Sequence, residues 1–359
     1  LITIIFFLIS DYILSKTYIK KFLDKDCLKF NNYTHNNQRY YSYSLKNNCE
    51  ALEVRKTVKS YKVYTNDYGF RVSKVQKTNK DNKIIFLGDS FTYGYGLSYE
   101  KSIPGYFQEQ LKNFEIINLG VPGYGPSMTK HSFLKILKKK IYPNKVILIL
   151  DLTDVYDESN KWIYLENYGS PAIIDKTITS NLNKNLDFKK NFKISNLLAM
   201  NLNRFFRDFR KDINKRSLEA DSKIIKETFY GSFTYKRKNE LDKNFWKNNL
   251  DQGLVKIKSN VVDISRIAKK YNAEFYIVIF PWAETLQYGE KIFSWQNFGL
   301  KLCKESNCNG LINLFASFEE YKRENDNWKN SLYFLNDIHL NENGNKIVAK
   351  EIIKKIFNK

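Results

Sequence analysis

Short apolar runs alternate with longer amphipathic segments along much of this chain, and this alternation constrains the fold more than any other feature. Apolar runs bounded by turn-forming residues are typical of strands that are buried on both faces, as in parallel sheets. Parallel strands need crossover helices, which the segments between the runs can supply. We therefore expect a three-layer α/β/α sandwich with a doubly wound, mainly parallel sheet of the flavodoxin-like type. Strands are predicted at 83–87, 115–118, 146–150, 275–280 and 311–315, and helices at 103–111, 129–139 and 255–271.

The first predicted strand runs into Gly88-Asp89-Ser90, where a helix-like segment begins. Reactive groups of parallel sheets collect at the carboxyl ends of the strands, and Ser90 falls at such an end. Serine is also a common cap or turn residue at this kind of junction, without any chemistry. Ser90 is therefore a candidate nucleophile that needs a base to remove its proton.

Asp337 and His339 stand together near the other end of the chain, before a helix-like segment at 346–353. A histidine is an effective base when a carboxylate fixes its tautomer and stabilises the imidazolium. The other two histidines, His35 and His131, have no acidic neighbour within two positions, which favours His339 as the base. The alternative interpretation is a solvated loop ahead of a final amphipathic helix.

The second predicted strand, at 115–118, leads into a turn that is rich in glycine and proline. Glycine lets backbone N–H groups approach a substrate oxygen closely, so such a turn could hold developing negative charge. The alternative is an ordinary connection between a strand and a helix. The turn contains Gly120, Pro122, Gly123, Gly125 and Pro126.

Three sequence blocks in a fixed order make residues 80–359 resemble the SGNH (GDSL) hydrolase superfamily. The blocks read GDS at 88–90, NLGVPG at 118–123 and DIH at 337–339. Their joint occurrence is far more specific than any one of them alone. The resemblance implies a serine esterase or acyltransferase that acts on an ester, such as an O-acetyl ester, of a carbohydrate or lipid. Water or a glycan hydroxyl would be the acceptor.

Each residue's role is carried over from the block in which it stands. The family's GDS serine, here Ser90, is the nucleophile, and its late histidine, here His339, is the base. Asp337 would be the orienting acid, although the family commonly has this acid three residues before the histidine, where this chain has Asn336. An Asp-x-His spacing also occurs in relatives such as polysaccharide acetyltransferases of the alginate type. The oxyanion hole would include the backbone N–H groups of Ser90 and Gly123.

The third block departs from the family pattern, which is Gly-x-Asn-Asp after a buried strand. This chain has Asp151-Leu152-Thr153-Asp154, so that Thr153 replaces the asparagine of the oxyanion hole. A threonine hydroxyl is shorter than a carboxamide and donates one hydrogen bond, and loss of an oxyanion donor typically costs about 100- to 1,000-fold in rate. Three interpretations stay open. Two backbone N–H groups suffice, Thr153 acts from a shifted backbone, or the protein is catalytically impaired and binds glycans or acts in cell-envelope polysaccharide assembly.

Two further residues, Asp154 and Trp282, are candidates for substrate binding. Trp282 follows the predicted strand at 275–280 on the active-site edge, where it could stack on a sugar ring or pack in the core. A long insertion at about 157–254 separates two predicted strands, and we expect it to form a lid. Its segment at 205–211 mixes aromatic with basic residues, which suits core packing, an anionic or sugar substrate, or a membrane surface.

The amino-terminal part divides into an apolar start at 1–14 and a polar extension at 15–80, ahead of a catalytic domain at 81–359. The apolar start is shorter than the roughly 20 residues that span a bilayer, so it predicts a truncated signal anchor or transmembrane segment. A buried helix is the alternative. Lysines at 16, 20 and 21 argue mildly for a cytoplasmic body by the positive-inside rule.

Cysteine usage points to an oxidising compartment. The four cysteines fall into two local pairs, Cys27 with Cys49 and Cys303 with Cys308, which is compatible with two disulfides. Buried thiols are the alternative. Together with the apolar start, the pairs favour a membrane-anchored protein that faces the periplasm or the cell exterior.

The net charge of +21, from 59 basic and 38 acidic residues, would suit a nucleic acid, an anionic polysaccharide or a membrane surface. The basic residues are spread along the chain, as a general compositional bias would produce. Nucleic acid is therefore not the expected partner, whereas an ester-bearing small molecule, glycan or lipid is. The cysteine spacings lack the Cys-x-x-Cys pattern of a zinc site, and no P-loop or Rossmann fingerprint is present, so no metal or cofactor is expected.

Overall fold

The strands of the protein form two sheets. The computed structural model describes residues 2–17, 26–55, 57–74, 80–175, 231–236 and 250–357. Within this part of the chain the strands are β1 (Leu28–His35), β2 (Gln38–Leu45), β3 (Glu50–Glu53), β4 (Tyr61–Thr65), β5 (Arg71–Val72), β6 (Lys83–Leu87), β7 (Glu115–Asn118), β8 (Lys145–Leu150), β9 (Ile163–Leu165), β10 (Ser170–Ile174), β11 (Glu274–Ile279) and β12 (Gly310–Asn313).

The helices of the same residues alternate with the strands of the larger sheet from β6 onward. They are α1 (Ile2–Thr17), α2 (Ser90–Tyr93), α3 (Ile103–Gln110), α4 (Pro126–Lys138), α5 (Thr153–Tyr156), α6 (Leu250–Lys270), α7 (Ala283–Tyr288), α8 (Trp295–Ser306), α9 (Phe315–Glu324), α10 (Trp328–Leu332) and α11 (Glu342–Phe357).

The larger sheet has the strand order β12-β11-β8-β6-β7-β5-β4-β3, and β12 to β7 in this order are parallel to one another. The chain passes from β6 to β7 on one side and then returns to β8 on the other, so the sheet is doubly wound. Helix α3 packs against α11, while α6 packs against α4 and α8. These two groups flank opposite faces, as right-handed crossovers require. The predicted three-layer α/β/α fold with a mainly parallel sheet is confirmed.

The central strands are buried on both faces, which explains their continuous apolar runs. Ile84, Ile85, Phe86 and Leu87 of β6 are completely buried. Burying one such side chain contributes about 1.5–3 kcal/mol relative to leaving it exposed. The end of β6 is therefore held rigidly, and so is the start of the segment that follows it.

Local capping explains where several elements begin and end. Ser102 accepts the backbone N–H of Gly105 at 3.2 Å and starts α3. The strand predicted at 311–315 ends earlier than expected, at Asn313, whose Oδ1 accepts the N–H of Phe315 at 3.0 Å. Phe315 therefore begins α9 rather than ending β12, because the asparagine side chain bonds to the backbone two residues on and turns the chain there.

Strands from the predicted amino-terminal extension pair with both sheets. β3, β4 and β5 continue the larger sheet in antiparallel pairings, the last of which joins Arg71 to Asn118 of β7. The β1–β2 hairpin pairs with β10, which follows β8 in the chain. The domain boundary near residue 80 stays a prediction, but hydrogen-bonded strands cross it.

Both predicted disulfides are present. Cys27 and Cys49 are joined with a Cα–Cα distance of 5.8 Å and link the start of β1 to the start of β3. Cys303 and Cys308 are joined with a Cα–Cα distance of 5.0 Å and close the end of α8 against the turn before β12. The first disulfide thereby fastens the two sheets to each other.

The predicted lid and anchor are described only in part. Of the insertion at 157–254, the described residues include the β9–β10 hairpin and a short turn at Ser232–Thr234, while the segment at 205–211 lies outside them. Helix α1 continues beyond residue 14 to Thr17. Among the described helices, none combines the length and apolar character needed to cross a bilayer.

Candidate active site

Ser90 opens a one-turn helix immediately after β6. Asp89 caps this helix, because its Oδ1 accepts the N–H of Phe91 at 2.9 Å. Gly88 has a φ of 148°, and a Cβ there would lie 2.2 Å from Thr92 Oγ1, so only glycine fits between strand and helix. This sharp turn places the largely buried Ser90 side chain at the carboxyl edge of the parallel strands.

The structure brings the three predicted catalytic side chains into one hydrogen-bonded line. His339 Nε2 lies 2.8 Å from Ser90 Oγ, and His339 Nδ1 lies 2.5 Å from Asp337 Oδ1. The backbone N–H of His339 also donates to Asp337 Oδ1, at 3.1 Å. Asn336, at the family's usual acid position, has a φ of 58° and turns the chain so that Asp337 reaches the imidazole.

The environment of Asp337 keeps it ionised. Burial acts to raise the pKa of this carboxyl, but the hydrogen bonds and charge of His339 and the hydroxyl of Thr57 hold the pKa below its usual value. An ionised acid is the form that orients an imidazole and stabilises its positive charge. Asp337 is therefore in the protonation state that a triad needs at neutral pH.

Two aromatic rings pack against His339. The Tyr95 ring stacks on the imidazole with centroids 4.2 Å apart, and the Phe91 ring lies at 4.9 Å. Aromatic faces attract cations, so both rings favour the imidazolium that forms when His339 takes a proton. They also restrict the tilt of the ring that must point at Ser90.

Asp89 gives the serine proton a second acceptor. The hydroxyl of Ser90 lies 3.0 Å from Asp89 Oδ2 and 2.8 Å from His339 Nε2. A hydroxyl carries one proton, so the two acceptors compete for it. Asp89 stands in the GDS block, but the sequence alone predicted no role for it.

Gly123 is held in place by three side chains. Its φ of 73° is in the region that favours glycine, and a Cβ would lie 2.4 Å from Lys161 Nζ. Its carbonyl oxygen accepts from Lys161 Nζ at 2.5 Å and from Trp162 Nε1 at 3.1 Å. The Tyr43 hydroxyl lies 3.3 Å from the same oxygen, but its nearer acceptor is the neighbouring Pro122 carbonyl at 2.9 Å. Donors to two successive carbonyls, those of Pro122 and Gly123, hold the orientation of this turn. Within the described residues, no acceptor takes the N–H of Gly123 or of Ser90.

The Thr153 side chain, predicted to bind the substrate oxyanion, is hydrogen-bonded to Asp151 instead. Its hydroxyl donates to Asp151 Oδ1 at 2.6 Å, and its backbone N–H donates to the same oxygen. Because the hydroxyl has one proton, this bond leaves none for a substrate oxygen. Asp154 Oδ2 in turn accepts the N–H of Asp151 at 3.0 Å. The third block thus directs several of its polar groups at one another, although Asp151 Oδ2 is buried without a hydrogen-bond partner among the described residues.

Buried acids surround this turn. Burial raises the pKa of Asp151 and Asp154 well above the usual value, and the nearby charge of Asp89 adds to both shifts. Burial also raises the pKa of Asp157 to about 7, although Lys161 acts to lower it. Asp157 is therefore largely protonated at mildly acidic pH, and burial favours the neutral form of Asp151 and Asp154 as well. The predicted substrate-binding residue Asp154 is buried among them.

Trp282, the other residue predicted to bind substrate, lies in the core. Its side chain is completely buried in the main hydrophobic core, after the end of β11. A ring without exposed surface cannot stack on a sugar, so the packing alternative describes this residue. Position at a strand end alone could not distinguish the two, because it does not reveal which layer covers the side chain.

No family model matches the sequence, and no curated protein matches it. Several solved structures resemble the fold. One is a member of the lipolytic G-D-S-L family from Veillonella parvula DSM 2008, with 12% identity and a TM-score of 0.41 over 77% of this chain and 98% of that one. Another is Axe2, an acetylxylan esterase from Geobacillus stearothermophilus, with 11% identity and a TM-score of 0.41 over 79% and 97% of the two chains. TesA has 8% identity and a TM-score of 0.42 over 77% and 99%.

Proposed function

We propose that the protein is a serine esterase or acyltransferase of the SGNH type, with Ser90 as nucleophile, His339 as base and Asp337 as orienting acid. The observation that carries the proposal is the unbroken line from Ser90 Oγ to His339 Nε2 at 2.8 Å and from His339 Nδ1 to Asp337 Oδ1 at 2.5 Å. A hydroxyl, an imidazole and an ionised carboxylate in this order activate a serine.

In the proposed reaction Ser90 Oγ attacks the ester carbonyl carbon while His339 Nε2 accepts the hydroxyl proton. The tetrahedral intermediate collapses when His339 returns that proton to the leaving alcohol, which produces an acyl-serine. Water or an acceptor hydroxyl then attacks the acyl-serine, with His339 as base again. Asp337 stabilises the imidazolium in both halves of the reaction.

The oxyanion in this reaction would be held by the backbone N–H groups of Ser90 and Gly123. The hydrogen bonds that Lys161 and Trp162 donate to the Gly123 carbonyl support this assignment, because they orient the turn that carries the Gly123 N–H. The bond between Thr153 and Asp151 supports a hole of two donors rather than three. We therefore expect a rate about 100- to 1,000-fold below that of a similar site with a third donor.

The proposed substrate is an ester, such as an O-acetyl ester, of a carbohydrate or lipid. The proposed location is the outer side of a membrane. The two disulfides support an oxidising compartment, and the exposed Phe6, Ile9 and Ile13 of α1 support contact with lipid. Protein taken from its own cells should change its gel mobility on reduction. Four free thiols in that material would contradict the location.

A fluorophosphonate probe tests the chemistry without knowledge of the substrate, because only an activated serine reacts with it. We expect labelling of Ser90 and turnover of 4-nitrophenyl acetate, both abolished in Ser90→Ala. The matched control is Ser98→Ala, a partly buried serine after the same helix that has no assigned role. Unchanged turnover in Ser90→Ala would contradict the proposal.

A second candidate is a non-catalytic glycan-binding or assembly protein. The occupied hydroxyl of Thr153 favours it, since the chain then lacks one donor of the family's oxyanion hole. It predicts binding of acetylated glycans with no labelling of Ser90. Specific labelling would exclude it.

A further inference from the structure

A threonine of the amino-terminal extension contacts the triad acid. Thr57 Oγ1 donates to Asp337 Oδ2, although 280 positions separate the two residues. The other carboxylate oxygen, Oδ1, faces His339 at 2.5 Å. The two oxygens of Asp337 therefore have separate partners, an imidazole on one side and a hydroxyl on the other.

A ring that stacks on the base lies next to the same segment. The Tyr95 ring stacks on His339 at 4.2 Å with an interplanar angle of 23°. The Arg55 guanidinium, from the same segment, lies 5.7 Å from the Tyr95 ring. Residues just before β4 thus contact both the acid and the ring that hold His339.

The Asp337 carboxylate can rotate unless both of its oxygens are hydrogen-bonded. Asp337 lies on a tight turn in which its N–H donates to the carbonyl of Phe334 at 3.2 Å. The last torsion of an aspartate is broad, so a carboxylate held at one oxygen can still rotate about it. A hydrogen bond to the second oxygen stops that rotation and keeps Oδ1 aimed at the imidazole.

We propose that Thr57 is a positioning residue for this chemistry. It fixes the rotation of Asp337 and, through Asp337, the direction in which His339 Nε2 points at Ser90. The inference rests on the proposed function, because it requires His339 to be the base. It makes the amino-terminal extension a part of the active site rather than an appendage to it.

Substitutions at Thr57 test the contribution of its hydroxyl independently of the size of its side chain. Thr57→Val removes the hydroxyl and keeps the outline of the side chain, Thr57→Ser keeps the hydroxyl, and Thr34→Val is the matched control on an exposed position of β1. The readouts are the rate constant for fluorophosphonate labelling of Ser90 and the kcat and KM for 4-nitrophenyl acetate.

We expect the labelling rate and kcat of Thr57→Val to fall about 10-fold with KM unchanged, less than the roughly 100-fold that a 1 Å misplacement can cost. Thr57→Ser should stay within about 3-fold of the unaltered protein, and Thr34→Val should not change. Thr57 is exposed, so its variants should melt within about 2 °C of the unaltered protein.

Three outcomes would overturn the inference: an unchanged kcat in Thr57→Val, an equal loss in Thr57→Val and Thr57→Ser, or a rise in KM alone. Thr57→Ala also lacks the hydroxyl and replaces the valine variant if valine does not fit. Ser90→Ala serves in parallel. If Ser90→Ala keeps its labelling and turnover, the proposed function itself fails, whatever the Thr57 variants do.

Discussion

The reacting groups of the candidate site and the groups that hold them come from different parts of the chain. Ser90, Gly123 and His339 belong to the predicted catalytic domain and lie at the carboxyl edge of its parallel strands. Tyr43 and Thr57 belong to the predicted extension. Tyr43 donates to the Pro122 carbonyl, next to Gly123, and Thr57 donates to the Asp337 carboxylate. The apolar runs of the parallel strands were readable in the sequence, whereas the contacts made by the extension were not.

The largest effect should follow from loss of the base. His339→Ala should lower turnover of 4-nitrophenyl acetate by about 10,000-fold, because the imidazole is the proposed group that takes the serine proton and returns it to the leaving alcohol. His131→Ala, which changes a half-buried histidine on α4, is the matched control and should leave turnover unchanged. Equal activity of the two variants would remove the basis for placing the chemistry at Ser90.

The next largest effect should be a loss of stability when Arg71, which joins the extension to the segment after Ser90, is replaced. The buried guanidinium of Arg71 donates to the carbonyls of Tyr93, Gly94 and Leu97, just after α2, and lies 4.3 Å from the Tyr93 ring. Arg71→Met should lower the free energy of unfolding by about 3 kcal/mol, because it leaves buried carbonyl groups without donors. Urea denaturation measures this, with exposed Arg39→Met as the control. A loss below about 0.5 kcal/mol would show that the extension is only loosely attached.

The free energy of unfolding should depend on pH through the buried acid Asp157, which lies outside the extension. The pKa of Asp157 is raised by burial to about 7, well above that of an unfolded aspartate near 3.9. The folded state therefore binds the extra proton between about pH 4 and 7, and this stabilisation is lost as the pH rises through that range. The free energy of unfolding should fall by about 2 kcal/mol between pH 5 and 7 because of this group.

Asp157→Asn removes the titrating group and should flatten that part of the profile. The control is Asp263→Asn, since Asp263 lies on the outer helix α6 and pairs with Lys130 at 2.9 Å. An Asp157→Asn profile as steep as that of the unaltered protein would show that other groups bind the proton.

The smallest effect should come from loss of a single hydrogen-bond donor to the turn at Pro122 and Gly123. Trp162→Phe, after the third block, removes a donor to the Gly123 carbonyl, and Tyr43→Phe, in the extension, removes the hydroxyl that donates to the neighbouring Pro122 carbonyl. Each should lower kcat about 5-fold, or about 1 kcal/mol, with little change in KM. A loss in Trp162→Phe but not in Tyr43→Phe would mean that the extension does not take part in the oxyanion hole.

The sequence predicted the sheet and the strand-end position of Ser90 because each depends on a local pattern, whereas the contact between Ser90 and His339, 249 positions apart, depends on the fold. Parallel strands buried on both faces need continuous apolar runs, and a serine after such a run must lie at the sheet edge. The prediction of Trp282 as a sugar platform was wrong, since its burial depends on which layer covers the end of β11. The partner of Thr153 was also hidden, because its short hydroxyl could reach either Asp151 or a substrate, and only the folded turn selects one.

The sequence by itself determined the order of the strands along the chain, the pairing of Asp337 with His339 and the two local cysteine pairs, since each involves neighbours in the chain. The tertiary structure decided which distant side chains complete the site. Tyr43, Thr57 and Lys161 carry no motif, and their value lies in where hydrogen-bonded strands and turns bring them. A single donor is common anywhere in a sequence, but its energy depends on an acceptor within about 3 Å, and that distance exists only in the folded protein.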